Sequence, residues 1–139
     1  MRVETERRLL QAAILIACLV PILSGGAGAL QGPGMLRGIE PPAPTDLDSH
    51  FRYLSGLLLG IGIGFIACVP RIEARGAAFR LLGLVVLAGG LSRAISLAAV
   101  GPPSGAHLFG LLMELGTVPL LMFWQWRFAQ RWQKRTSGL

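Results

Sequence analysis

From Leu9 to Leu36 the chain carries no Asp, Glu, Lys or Arg, and no other feature restricts its fold as strongly. A helix needs about 20 apolar residues to cross the ~30 Å hydrocarbon of a bilayer. The apolar part of this run, about 9–30, meets that length, and the pattern returns at about 50–69, 77–100 and 106–128. Lipid offers backbone amides and carbonyls no partners, so each run has to be helical. Charged residues are 14% of the 139 and hydrophobic residues 53%, against ~25% charged in soluble domains. The missing charge is missing water-facing surface. The expected fold is all-α: an integral membrane four-helix bundle forming a single domain over 1–139, because so short a chain has too little material for a second core.

The segments between the runs set the orientation. An outer linker, 31–48, is rich in Pro and Gly and holds Arg37, Glu40, Asp46 and Asp48; PRIEAR follows the second run, GPPSG the third, and a basic tail, 129–139, the fourth. Basic residues gather at Arg2, Arg7 and Arg8, at Arg71, Arg75 and Arg80, and at Arg127, Arg131, Lys134 and Arg135. With both termini inside, the cytoplasmic face holds ten Lys/Arg and three acids, and the other face holds Arg37 and Arg52. The positive-inside rule therefore selects four spans, N-in/C-in. Taking the uncharged stretch 94–113 as a span instead would put Gly101-Pro102-Pro103 at its centre, where the prolines break the helix.

Residues 1–29 also have the make-up of a secretory leader, with a basic start, an apolar stretch and Ala27-Gly28-Ala29 as a cleavage site. Retention as the first span is the expectation adopted, and cleavage leaves the remaining topology unchanged. The net charge of +6 is spread over the ends of apolar runs, which speaks for a membrane and against nucleic acid. Phe123, Trp124, Trp126, Phe128 and Trp132 among the C-terminal cations read as an interfacial anchor, in preference to a specific anionic-lipid site. Cys18 and Cys68 read as buried small side chains at different depths, too far apart for a disulfide.

His50-Phe51-Arg52-Tyr53-Leu54-Ser55-Gly56 with Gly60, Gly62 and Gly64, then Gly90-Leu91-Ser92-Arg93 with Ser96, then Gly101-Pro102 and Glu114, together resemble a family of small bacterial four-span membrane proteins, catalogued as domain of unknown function 4345. The resemblance covers about residues 10–130. It implies four helices in a bacterial cell inner membrane, a multi-pass uncharacterised protein, and no assigned chemistry.

The charged residues left inside the runs are the candidates for function. In a hairpin centred between Pro103 and Ser104, Arg93 and Glu114 lie at one depth in the outer half of the bilayer. A charge there costs at least about 2.5 kcal/mol, and pairing within the bundle is the cheapest relief. Two readings follow: an ion pair that only fixes helix register, or a polar site open to the outer side. Ser92 and Ser96 flank Arg93, and His107 stands two turns above Glu114 on the same stripe, so polar groups line up from the mouth inward. Arg52 either pairs with Asp46 or Asp48 near its helix end or turns inward with Tyr53 beside it; in that case the pocket gains positive charge and favours a small anionic ligand. Gly56, Gly60 and Gly64 form a G-x-x-x-G series that suits helix packing, within the chain or in a homo-oligomer.

No spacing of His, Cys, Asp and Glu marks a metal, no base accompanies Ser92 or either cysteine, and no cofactor motif appears. Enzyme activity is therefore the weaker expectation. The leading reading is an accessory or ligand-holding bundle, whose partners are the bilayer and either another protein, a second copy or a small anion. The alternative is a solute or ion transporter or channel using Glu114, and the third is a membrane enzyme acting on a lipid or quinone.

Overall fold

The computed structural model describes residues 3–138, and their regular structure is helical. Arg2, counted above in the first basic cluster, and the last residue of the basic tail lie outside the described residues. Helix α1 is Val3–Gln31, followed by a 3-10 turn at Gly32–Met35. Helix α2 is Thr45–Cys68, with a second 3-10 turn at Val69–Arg71, and α3 is Gly76–Val100. The last long helix combines α4, Gly105–Leu112, a π-helical turn, Met113–Thr117, and α5, Val118–Thr136. Four segments are long and apolar enough to cross a membrane.

The helices outrun the apolar runs. Helix α1 starts with Glu4 and Glu6 in its first turn, and α2 starts at Thr45, ahead of the expected 50, with Asp46 and Asp48 in its first turn. Carboxylates favour the positive end of a helix dipole, so these residues join helices that hydropathy alone ends too soon. For the same reason α5 continues through the basic tail, with Lys134 and Arg135 in its last turn.

The chain forms two compact units. The first, Cys18–Ile66, pairs the later half of α1 with α2 through glycines. A Cβ added at Gly25 would lie 2.6 Å from the Leu59 amide nitrogen and 2.9 Å from the Ser55 carbonyl oxygen. One at Gly28 would meet the Ser55 side chain, and one at Gly62 would lie 3.0 Å from Ile22 and 3.2 Å from Pro21. The G-x-x-x-G series does not form this contact. Gly56 and Gly60 are exposed, with nothing among the described residues within 4 Å of an added Cβ, and Gly64 is half-buried. An i+4 series advances about 40° per step around a helix of ~3.6 residues per turn. It therefore drifts off the face of Ser55, Leu59 and Gly62, whose spacings of four and three follow the turn.

The second unit joins the chain up to Ala17 with everything from Ala67 onward. Here α3 and the last helix form an antiparallel hairpin. Gly101 takes φ +110°, a left-handed value that only glycine adopts readily, and its N–H closes α3 on the Leu97 carbonyl. Gly76, Gly83 and Gly90, seven apart and so on one helix face, meet Gln125, Met122, and Leu115 with Glu114 in turn. The π-helical turn has a local cause. Pro119 has no N–H and its ring crowds the carbonyl four residues back. The preceding turn widens instead, with Val118 N–H bonded to the Met113 carbonyl.

At the other end of this unit Leu10, Ile14, Ile72, Phe79 and Phe128 are almost fully buried. Polar bonds tie the same segments together. Gln125 Nε2 donates to the Ile72 carbonyl at 2.9 Å, and Gln11 Nε2 to that of Val69 at 2.8 Å. Arg7 holds Glu73 at 3.1 and 3.3 Å and donates to the Pro70 carbonyl at 2.8 Å. Glu6, only 3% exposed, accepts from Trp124 Nε1 at 3.1 Å and from Arg131. Gln125 Oε1, fully buried, has no partner among the described residues. Gln125→Leu removes this orphan along with the Ile72 bond and is expected to change stability by less than about 1 kcal/mol. Gln125→Ala opens a void as well and should cost about 2 kcal/mol. Thermal unfolding in one detergent compares them; equal losses would show that the void, the one respect in which the two variants differ, carries no cost.

Candidate functional site

Midway along the hairpin, the Arg93 guanidinium grips Glu114 side-on: Nε donates to Oε2 at 3.0 Å and Nη2 to Oε1 at 3.1 Å. A forked contact of this kind is the strongest hydrogen-bonded ion pair available to side chains. A close approach at one glycine brings the two helices together beside it. Gly90, one turn before Arg93, faces the Glu114 Cβ; a Cβ there would come within 2.9 Å of it and 2.7 Å of Leu115. Gly110, one turn before Glu114, lies alongside the Arg93 guanidinium, whose carbon would be 3.9 Å from an added Cβ. Glu114 itself is the second residue of the π-helical turn. The side chains are 33% (Arg93) and 17% (Glu114) exposed, so the carboxylate is sheltered while part of the guanidinium stays accessible. Arg93 Nη1 has no hydrogen-bond partner among the described residues.

The other residues singled out from the sequence divide by location. His107, Gly110 and Glu114 share one stripe of the last helix. His107 Nδ1 lies 2.9 Å from Ser104 Oγ, which ties the ring to the start of α4. Ser92 is turned back on its own helix, bonding the Ala88 carbonyl at 3.0 Å, and both Ser92 and Ser96 are exposed. Neither joins the Arg93–Glu114 fork.

Arg52 and Tyr53 belong to the α1–α2 unit. Arg52 bonds Asp48 at 2.8 Å and donates through Nη1 to the carbonyls of Ala29 and Leu30 at 2.9 and 2.8 Å. The last carbonyls of a helix lack intrahelical donors, and α1 has no basic residue of its own in its last turn. Arg52 therefore caps α1 from the neighbouring helix. Gly32, at φ +70°, leaves room for the pair: an added Cβ would fall 2.6 Å from Asp48 and 2.7 Å from Arg52. Tyr53 is 62% exposed, with its ring 6.5 Å from that of His50. Cys18 and Cys68 are buried, and among the described residues no three His, Cys, Asp or Glu side chains are grouped to hold a metal ion.

Sequence reasoning missed the Glu6, Arg7, Glu73, Trp124, Gln125 and Arg131 contacts, because the cations read as markers of the cytoplasmic face and Trp124 as an interfacial anchor. One signal was present. Glu6, Leu10 and Ile14 recur every four residues, and all three are buried, so Glu6 sits on the buried stripe of α1.

No curated protein and no solved structure matches the chain. A family model does, described as "Domain of unknown function (DUF4345)", over residues 9–125. That stretch runs from the first apolar run into α5 and includes both Arg93 and Glu114. On this match the chain belongs to the family of proteins carrying the domain of unknown function DUF4345.

Proposed function

We propose that this is a multi-pass protein of a bacterial inner membrane, with four spans and both termini in the cytoplasm, that holds a small anionic group at Arg93. The carrying observation is the Arg93–Glu114 fork within an apolar hairpin. One edge of the guanidinium neutralises Glu114, and the remaining donors are those that would take a carboxylate or phosphate. Long apolar helices support membrane embedding, and the ten-to-two distribution of basic residues between the two faces supports the orientation.

Native mass spectrometry of the protein extracted gently from its own membrane tests this reading. A co-purifying anion should be present in the wild type and lost in the folded Arg93→Ala/Glu114→Ala double variant. An unchanged set of bound species in that variant would overturn the proposal.

A second reading rests on the π-helical turn at Met113–Thr117. Such turns interrupt helices at moving or functional places, and a carboxylate on one suits a transporter or channel for a small solute or ion. Glu114→Gln should then abolish flux in proteoliposomes while the protein remains folded; undiminished flux would exclude this reading.

A further inference from the structure

We propose that the charged end of the second unit is a docking ring for the headgroups of anionic phospholipids. This end collects cations from three segments of chain: the start of α1, the α2–α3 turn with the start of α3, and the end of α5. Its acids are largely consumed. Glu73 is held by Arg7, and the buried Glu6 by Arg131 and Trp124, leaving Glu4 as the exposed carboxylate. Arg71, Arg75, Arg80, Arg127, Lys134 and Arg135 are all exposed, and none has a carboxylate at ion-pair distance among the described residues.

These cations project from a fixed frame. The Arg7–Glu73 fork, the Arg131–Glu6 contact and the Gln125–Ile72 bond lock the three segments together, and Arg7 lies over the Trp132 ring at 5.6 Å. Aromatic side chains border them. Phe123 is 56% and Trp126 42% exposed, and the Arg127 guanidinium sits 5.8 Å from the centre of the Phe123 ring. A ring held in place loses little freedom on binding. Guanidinium groups match phosphate oxygens two at a time, and exposed Trp and Phe belong at headgroup depth. At the ends of membrane-crossing helices, the abundant anion is the lipid phosphodiester. Unpaired cations there fit phosphatidylglycerol or cardiolipin, which carry net negative charge, and gain little from zwitterionic lipid. This inference rests on the membrane reading above.

The full-length protein provides the test in two steps. Flotation with pure phosphatidylcholine vesicles after a carbonate wash reads embedding alone; failure there removes the membrane reading and, with it, the ring's setting. Thermal unfolding is then followed in neutral micelles doped with phosphatidylglycerol, cardiolipin, phosphatidylcholine or inorganic phosphate. The two anionic lipids should raise the midpoint by several degrees, with cardiolipin acting at lower concentration, while phosphatidylcholine and phosphate leave it unchanged.

Each charge removed should weaken the response about fivefold, so Arg71→Gln/Arg75→Gln/Arg80→Gln should shift the lipid concentration required by roughly 100-fold. Lys134→Gln/Arg135→Gln, on the α5 tail, is an independent check if the triple variant fails to fold. Equal stabilisation by neutral and anionic lipid overturns the proposal, as does an undiminished response in every variant that folds. Phosphate alone reproducing the shift would replace the lipid by a soluble anion.

Discussion

Removing the Glu114 carboxylate alone is expected to destabilise the protein more than removing it together with Arg93. Glu114→Ala leaves a guanidinium in the middle of an apolar hairpin with its side-on partner gone, and Arg93→Ala leaves the more sheltered carboxylate equally stranded. Breaking a buried pair from one side costs about 3–5 kcal/mol. Arg93 keeps a third of its surface accessible, so the lower end of that range, about 3 kcal/mol, applies. Arg93→Ala/Glu114→Ala removes both charges at once, and its loss should be about 1–2 kcal/mol, mostly from lost packing. The cycle then closes with a coupling of several kcal/mol, far above the ~0.5 kcal/mol scatter of independent sites. Unfolding of the four proteins in a single detergent measures it, and additive losses would show that the fork is not an energetic unit. The same variants separate strut from site, because a folded double variant that loses a ligand or phenotype implicates the pair in more than packing.

The elements legible in the sequence are those governed by transfer from water. Apolar runs of bilayer length marked four long helices, and Gly101-Pro102-Pro103 marked the turn between the last two. What stayed hidden depended on angles and on partners distant in sequence. The π-helical turn follows from Pro119, yet a proline announces only that something must yield, not that the turn before it will widen to seat Glu114. Arg52 had an inward role open to it from its place on α2. Its cap on Ala29 and Leu30 required knowing where α1 ends against α2. The Glu6–Arg131 and Gln125–Ile72 contacts join residues 125 and 53 positions apart, beyond the reach of any periodicity. Hydropathy reads what leaves water; it does not read which polar groups then find one another.

Glycines give the sharpest case, and the second large effect. Gly25→Ala is expected to cost about 2–3 kcal/mol, as overpacking of a close contact does, whereas Gly60→Ala should leave stability unchanged or raise it by up to about 1 kcal/mol through helix propensity. The sequence points the other way, since Gly60 sits in a G-x-x-x-G series and Gly25 does not lie in one of comparable regularity. The contact decides it. An added methyl at Gly25 would stand 2.6 Å from a backbone nitrogen and 2.9 Å from a backbone oxygen of α2, and backbone cannot rotate aside as the Met122 side chain opposite Gly83 can. Helices α1 and α2 must move apart, taking with them the Ser55 contact at Gly28 and the Arg52 cap on the end of α1. At Gly60 the methyl meets nothing among the described residues. Equal losses at the two positions would mean that a further helix lies against Gly56 and Gly60. In that case Gly60→Ala should also lower the mass of the detergent-solubilised particle, whereas Gly25→Ala should not.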